Sequence, residues 1–247
     1  MIVAVGIGPG ATELLTEEAR EALACADVVV GYKPYLDLVR PILGDVEVEA
    51  TGMRQEVQRC ERALALHREG RRVAVVSSGD AGIYGMAGLL MEIDPEADVE
   101  VVPGITACQA AAARLGAPLM NDFAVLSLSD LLTPREEVLR RAGALAASGL
   151  VTCLYNPTSR RRRPLFEQVT GLFLEHRPPQ TVAGWVKNAY RAGEEIGLTT
   201  LGELLEAPID MWTTVLVGSE RTELLGGRMV TRRGYIEKYG VGDPDEE

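Results

Sequence analysis

The sequence is poor in the residues that hold transition metals and in the patterns that build disulfide frameworks. Only two of its 247 residues are histidine and only four are cysteine. Cys25, Cys60, Cys108 and Cys153 lie far apart in apolar segments, with no C-x-x-C spacing among them. We therefore expect reduced core thiols in a cytoplasmic protein, and no protein-bound transition metal.

Other absences narrow the class of protein further. No stretch of ~18 uninterrupted apolar residues occurs, so the sequence predicts no membrane span. The N-terminal residues MIVAVGIGPG lack a basic leader, which favours a buried first strand over a signal peptide. The net charge of −11 disfavours a nucleic-acid partner, because phosphate binding needs a basic face.

One basic run stands out on this acidic chain, the four arginines at residues 160–163. Such a run is typical of a solvated loop, but it also suits the binding of an anionic small ligand. Composition alone leaves both interpretations open.

Strand and helix patterns alternate along nearly the whole chain, which predicts an α/β architecture with largely parallel sheets. We expect two consecutive α/β domains, at residues 1–119 and 120–247. Thr16 is predicted to cap the first helix, and Thr200 with Glu203 has capping-box spacing. Strands are predicted at residues 2–5, 28–30, 73–77, 99–102, 123–127, 150–155, 181–186, 214–217 and 228–231, and helices at 53–68, at 134–147 and from Pro164.

Glycine-rich or polar turns at residues 6–10, 78–85, 103–107 and 128–130 each follow a predicted strand. Ligands of open α/β sheets bind outside the carboxyl ends of the strands, so these turns predict a ligand cleft. The first turn approximates the G-x-G-x-x-G/A pattern of dinucleotide sites. Pro9 lacks a backbone N–H, however, and Gly31 stands where a ribose-binding acid is expected. A nicotinamide oxidoreductase is therefore disfavoured.

Three of these segments together resemble one enzyme family. The strings VGIGPG at residues 5–10, GDAGIYG at 79–85 and VPGITA at 102–107 match, in order and spacing, the motifs of the tetrapyrrole methyltransferases. The resemblance extends from Ile2 to about Tyr235. It implies a fold of two α/β domains with mixed, largely parallel sheets, a cleft between them for S-adenosyl-L-methionine, a tetrapyrrole substrate and a homodimer.

Longer strings are similar to one branch of that family. They are GYKPYL at residues 31–36, TGMR at 51–54, SLSDLLTP at 127–134, YNPTSR at 155–160 and RGY at 233–235. This branch methylates C17 of precorrin-3B or of cobalt-factor III and contracts the macrocycle, during cobalamin synthesis. The resemblance thus implies a methyltransferase that releases S-adenosyl-L-homocysteine, and it does not say whether the acceptor carries cobalt.

The matching motifs also imply site residues. The implied cofactor-binding residues are Pro9, Gly79, Asp80, Ile83, Thr106, Ala107, Tyr155, Asn156, Ala183, Thr213 and Thr214. Ring contraction needs proton movements, and the candidate acids and bases are Asp130, Ser129, Asp122, Tyr155 and Lys33. Because the substrate carries acidic side chains, Arg54, Arg160 and Arg163 are candidates for binding it. Asp80 has a second interpretation, as a turn residue that accepts hydrogen bonds from its own backbone.

Two departures from the family pattern bear on mechanism. Asn121 stands where we expect histidine, and Arg135 where we expect tryptophan. An amide cannot titrate near neutral pH, so no acid–base role passes to Asn121. The alternatives are a methyltransferase of the same fold acting at a different corrin carbon, on a protein histidine or on ribosomal RNA, and a non-catalytic tetrapyrrole-binding protein.

Overall fold

The structure is a computed structural model that describes residues 1–159 and 161–240. The chain divides into two compact units. The first comprises Met1–Ala110 with Tyr190–Ala192, and the second comprises Ala111–Ala189 with the chain from Gly193 onward. The boundary predicted at residues 119 and 120 lies slightly further along the chain and stays a prediction.

An all-parallel sheet with strand order β3-β2-β4-β1-β5 forms the centre of the first unit. Its elements are β1 (Ile2–Gly6), α1 (Glu17–Cys25), β2 (Val28–Tyr32), α2 (Lys33–Val39), β3 (Glu47–Thr51), α3 (Glu56–Arg68), β4 (Val73–Ser77), α4 (Ala87–Ile93), β5 (Val99–Val102) and the first residues of α5 (Ala107–Leu115). β1 and β4 are fully buried apolar runs, as strands covered on both faces require. Helices α1 and α2 pack on one face of the sheet, and α3 and α4 pack on the other.

The second unit contains a mixed sheet with strand order β10-β9-β11-β8-β7. Its elements are β6 (Gly116–Ala117), β7 (Phe123–Ser127), α6 (Arg135–Ser148), β8 (Val151–Tyr155), α7 (Arg163–His176), β9 (Val182–Lys187), β10 (Glu195–Thr200), β11 (Thr213–Val217), β12 (Thr222–Leu225), β13 (Arg228–Thr231) and α8 (Tyr235–Tyr239). β7 pairs in parallel with β8, and β11 pairs antiparallel with both β8 and β9. Phe166 and Phe173 of α7 are buried in the core of this unit.

The predicted α/β architecture is confirmed, and several local predictions hold in detail. The Thr16 hydroxyl accepts a hydrogen bond from the Ala19 amide at 3.1 Å, so Thr16 caps α1. The strand predicted at 123–127 has the bounds of β7. α6 begins at Arg135, one residue after the predicted helix start at Pro134, which is its N-cap residue.

Other local predictions were wrong. β3, β10 and β12 were missed, because each has exposed or partly exposed positions and no continuous apolar run. The strand at 228–231 exists, but it belongs to a separate sheet of β12, β13 and β6. The helix predicted from residue 53 begins at Glu56, after Arg54 adopts a φ of 63°. Thr200 bonds to the Glu203 side chain at 3.3 Å but caps no backbone amide.

Within the described residues, no helix combines the length and the apolar character needed to cross a membrane.

A buried guanidinium completes the packing of the second unit. Arg177 follows α7 and donates to four main-chain carbonyls: Leu145 at 2.9 Å, Ala146 at 3.3 Å, Leu150 at 2.9 Å and Gly218 at 2.6 Å. Two of these carbonyls belong to the last turns of α6, where a positive charge is favourable. The guanidinium carbon also lies 4.7 Å from the centre of the Phe173 ring, a cation–π contact. Burial lowers the pKa of Arg177 to about 10, so the side chain is charged at neutral pH.

We expect Arg177→Met to destabilise the protein, because it removes the donors of four carbonyls. Buried groups without partners cost about 1–3 kcal/mol each before relaxation, so a total loss of roughly 3 kcal/mol is expected. In a chain of this size that lowers the thermal midpoint by roughly 6–10 °C. The control is Arg141→Met on the exposed side of α6, where loss of an exposed ion pair with Glu137 should change little. Equal midpoints for the two variants in differential scanning calorimetry would contradict the proposed role of Arg177.

Candidate active site

The first unit has a topological switch point between β1 and β4. These strands are neighbours in the sheet. The chain leaves β1 toward α1 on one face of the sheet, and leaves β4 toward α4 on the other face. A crevice at the carboxyl ends of such strands is the usual ligand site of a parallel α/β sheet. The loops that flank it, residues 7–11 and 78–86, contain two of the three family motifs.

Three glycines bring the loops after β1, β4 and β5 into main-chain contact. A Cβ atom on Gly6 would lie 2.6 Å from the Gly104 nitrogen, and one on Gly104 would lie 2.2 Å from the Gly79 carbonyl oxygen. Gly8 and Gly79 exchange two backbone hydrogen bonds, of 3.0 and 2.8 Å. No side chain fits between these segments, which leaves backbone groups close to whatever occupies the crevice.

The Asp80 carboxylate holds two of these loops together. One oxygen accepts hydrogen bonds from the amides of Gly82 and Ile83, at 2.8 and 3.1 Å, and the other accepts from the amide of Gly104 at 3.0 Å. This is the turn role foreseen for Asp80, extended by a bond to the loop after β5. The geometry does not test the cofactor contact, which stays a prediction.

The other cofactor residues predicted for this unit lie at the same edge of the sheet. Thr106 and Ala107 lie beside Gly79, since a Cβ on that glycine would be 3.5 Å from the Thr106 Cα and from the Ala107 nitrogen. Thr106 is almost fully buried, whereas the apolar side chain of Ile83 is 42% exposed. Pro9 lies in the loop after β1.

The family resemblance implies that this crevice binds S-adenosylmethionine and its product S-adenosylhomocysteine. On that expectation Gly104→Ala should abolish binding of S-adenosylhomocysteine, because its methyl group would collide with the main-chain segments at Gly6 and Gly79. The expected loss is at least 100-fold in affinity, or a misfolded first unit, and titration calorimetry with circular dichroism separates the two results. Gly88→Ala in α4 is the matched control, because no atom lies within 4 Å of the Cβ it would add. Wild-type affinity of Gly104→Ala would show that this close approach is not required.

In the second unit, the carboxyl ends of β7 and β8 lie side by side. Ser127 pairs with Tyr155, and the Leu128 amide donates to the Tyr155 carbonyl at 2.9 Å. Asn156 has a φ of 50°, and its side-chain amide donates to the Ser127 hydroxyl at 3.1 Å. The Ser129 amide donates to the same hydroxyl at 3.3 Å. The predicted residues Ser129, Tyr155 and Asn156 are therefore neighbours.

The start of β11 lies at this edge as well, because β11 runs antiparallel to β8 and β9. Thr213 pairs with Lys187, the last residue of β9. Its hydroxyl donates to the Asp210 carboxylate at 3.0 Å and accepts from the Asp210 amide at 3.1 Å. Lys187 forms an ion pair with Asp210 at 3.1 Å. Thr213 is thus fixed, and Thr214 follows it along the strand.

Two predicted residues do not join this group, and the topology gives the reason. Ala183 is fully buried near the beginning of β9, paired with Val217 at the far end of β11. Asp122 precedes β7, so a whole strand separates it from Ser127 at the other end. The five residue steps from Asp122 to Ser127 span about 17 Å of extended chain. Ala183 and Asp122 therefore lie away from this group of residues, and their predicted roles stay predictions.

The remaining candidates differ in how freely they could meet a ligand. Asp130 is exposed in the loop after β7, whereas Lys33 forms an exposed ion pair with Asp37 at 3.2 Å. Arg163 donates to Glu167 at 3.1 Å and to the Leu205 carbonyl, so contacts within the protein occupy its guanidinium.

Two further arginines were predicted to bind substrate. Arg54 is exposed in the turn before α3. Arg160 lies outside the described residues.

Sequence reasoning missed one charged residue of the first unit. Arg191 donates from Nε to the Pro9 carbonyl and from Nη2 to the Ser78 hydroxyl, so it joins the loops on both sides of the switch point. Burial lowers its pKa, an effect that the neighbouring Tyr35 opposes. The sequence does show a polar turn, NAYRAG at residues 188–193, between two strands. No sequence pattern, however, predicts that the arginine of this turn contacts the loops after β1 and β4.

Among the described residues, no group of three or more histidine, cysteine, aspartate or glutamate side chains is arranged to hold a metal ion.

Comparison with known proteins decides the family. Residues 1–205 match the family model of the tetrapyrrole (corrin/porphyrin) methylases. The chain belongs to this family. The result confirms the family, the fold and the methyltransferase class expected from the sequence.

Individual relatives are similar over nearly the full chain. A Salmonella typhimurium protein described as a probable cobalt-factor III C(17)-methyltransferase is 48% identical, over 95% of this chain and 99% of its own length. A Priestia megaterium cobalt-factor III methyltransferase is 40% identical over 99% of this chain and 47% of its own length. The crystal structure of the methyltransferase CobJ superposes with a TM-score of 0.86 at 35% identity, covering 94% of this chain and 99% of CobJ.

Proposed function

We propose that this protein transfers a methyl group from S-adenosylmethionine to C17 of cobalt-factor III and contracts the macrocycle, in cobalamin biosynthesis. The observation that carries the proposal is the 48% identity, over 95% of this chain, to the probable cobalt-factor III C(17)-methyltransferase of Salmonella typhimurium. The string SLSDLLTP and residues 155–159 support it, because they begin at the paired ends of β7 and β8, where Ser127 pairs with Tyr155. Precorrin-3B, the metal-free acceptor, is the alternative that the first experiment separates.

The crevice of the first unit suits the methyl donor used by this family. Gly6, Gly79 and Gly104 let the main-chain segments after β1, β4 and β5 meet at this edge of the sheet, and the exposed Ile83 side chain offers an apolar surface for the adenine ring. When bound, S-adenosylmethionine supplies an electrophilic methyl group and leaves as S-adenosylhomocysteine. We propose Pro9, Gly79, Asp80, Ile83, Thr106 and Ala107 as cofactor residues of this unit, and Tyr155, Asn156, Thr213 and Thr214 as those of the second.

The protein's own contribution to methyl transfer is mainly alignment of the reactants and exclusion of water. Favourable alignment alone can supply about 7–11 kcal/mol of a reaction barrier. Ring contraction also moves protons, and the exposed carboxyl group of Asp130, three residues after the end of β7, can donate or accept one. We propose Asp130 for this role, with Ser129 and Tyr155 orienting the substrate. The ion pair of Lys33 with Asp37 makes Lys33 a weaker candidate.

We also propose that the protein is a cytoplasmic homodimer with no nucleic-acid partner. The net charge of −11 supports the last point, because phosphate backbones bind basic surfaces. Four separate cysteines, three of them buried, suit a reducing compartment.

The first test is mass spectrometry of products after incubation with S-adenosylmethionine and either cobalt-factor III or precorrin-3B. We expect a gain of one methyl group on cobalt-factor III and little or none on precorrin-3B. A gain on precorrin-3B alone would assign the metal-free acceptor. No gain on either, with S-adenosylhomocysteine binding intact, would contradict C17 methylation and favour another corrin carbon.

The second test compares Asp130→Asn with Asp122→Asn, two changes of the same type at exposed positions near opposite ends of β7. Loss of a general acid or base costs roughly 100- to 10,000-fold in rate. We therefore expect Asp130→Asn to lower kcat by at least about 100-fold with unchanged binding of S-adenosylhomocysteine, and Asp122→Asn to retain wild-type kcat. Equal kcat values for the two variants would remove Asp130 from the proposed chemistry.

A further inference from the structure

Arg191 occupies an unusual position for a charged side chain. It belongs to the three-residue segment Tyr190–Ala192, which packs with the first unit. Its Nε donates to the Pro9 carbonyl after β1, and its Nη2 donates to the Ser78 hydroxyl after β4. The guanidinium is therefore fixed at the switch point between these two strands.

The loop after β1 is shaped to admit this side chain. Gly10 adopts a φ of 144°, and a Cβ atom there would lie 2.6 Å from Cγ and 2.8 Å from Nε of Arg191. Only glycine leaves the space that the arginine fills. The VGIGPG motif thus serves the placement of Arg191 as well as the turn itself.

The charge of Arg191 is not neutralised by the protein. In the described part of the chain it forms no ion pair, unlike Arg62, which binds Glu49 at 2.7 Å. Asp80, the only acid of the neighbouring loop, directs both carboxylate oxygens to backbone amides. The titratable group that faces Arg191 is the phenol of Tyr35, whose pKa burial raises. A partly buried guanidinium without a counter-ion is costly, and an incoming anion would offset that cost.

The guanidinium also retains unused donors. Nη1 makes no hydrogen bond to a described residue. Since no buried side-chain nitrogen or oxygen of the described residues lacks a partner, Nη1 is accessible to solvent. Nη1 and the second N–H of Nη2 form the outer end of the guanidinium fork, the geometry that binds a carboxylate through two parallel hydrogen bonds. Arg163, predicted from the sequence for this task, has its fork engaged by Glu167 and Leu205.

We propose that Arg191 binds a carboxylate of one of the two reactants in the crevice beside Pro9 and Ser78. The proposal rests on the proposed function, in which both reactants carry carboxylates: the amino-acid end of S-adenosylmethionine and the acidic side chains of the tetrapyrrole.

The test substitutes Arg191→Gln, which keeps a donor but removes the charge and the fork. Arg62→Gln is the control, because it removes the charge of an arginine already paired with an acid in the same unit. Calorimetry measures the binding of S-adenosylhomocysteine and of its decarboxylated analogue, and steady-state assays measure KM for cobalt-factor III. A lost hydrogen bond to a charged group weakens binding about tenfold or more.

The two sources of carboxylate give different results. A tenfold weaker Kd for S-adenosylhomocysteine, with the decarboxylated analogue unaffected, assigns the cofactor carboxylate to Arg191. Unchanged titrations with a tenfold higher KM for cobalt-factor III assign a substrate carboxylate. If Arg191→Gln does not fold, Arg191→Lys is measured in its place. This variant keeps the charge without the fork, and we expect it to weaken binding of the carboxylate ligand severalfold.

Three results would overturn the proposal. They are equal weakening of both titrated ligands, no difference from Arg62→Gln in any measurement, and wild-type behaviour of Arg191→Lys where that variant is used. Because the titrations need no turnover, they stay informative if cobalt-factor III is not the acceptor. In that case the proposed function fails, and KM is measured for precorrin-3B instead; unchanged titrations together with an unchanged KM would count against Arg191.

Discussion

The contact of three main-chain segments at Gly6, Gly79 and Gly104 is the constraint on which the candidate site depends. At Gly6 and Gly104 the backbones approach so closely that even a methyl group would collide with a neighbouring main-chain segment. The contact fixes the ends of β1, β4 and β5 relative to one another, and Asp80 strengthens it through the Gly104 amide. A crevice lined by fixed backbone groups can bind a small polar cofactor without rearranging, which lowers the entropic cost of binding.

Arginines that are buried or partly buried serve two different purposes in this protein. Arg177 directs its guanidinium to four carbonyls, and Arg59 donates to the Thr51 hydroxyl, the Gly52 carbonyl and the Met86 sulfur. Both therefore act as internal cross-links between elements. Arg191 makes two such bonds and keeps one end of its fork available. In an acidic protein, such local positive charge offsets the repulsion that the net charge exerts on a carboxylate ligand.

The two units place their functional residues by the same rule although their sheets differ. In the first unit all five strands are parallel, and the loops at their carboxyl ends contain the glycine motifs. In the second unit β7 and β8 are parallel, and the loops that follow them are joined through Ser127, Tyr155 and Asn156. Strand direction, more than sheet type, decides which residues can meet.

The sequence by itself determined the α/β class, most buried strands, the Thr16 cap and the family, because these follow from local periodicity and from contiguous motifs. Edge strands such as β3 and β10 lacked an apolar signal and were decided by pairing with a neighbour. Tertiary structure alone placed Ala183 and Asp122 away from Ser127 and Thr213, since their distance from those residues depends on strand order and direction. It also brought Arg191 to Pro9 and Ser78, positions more than a hundred residues away in the chain. Residue spacing in a single sequence predicts only local structure, so it cannot show which distant residues will be in contact.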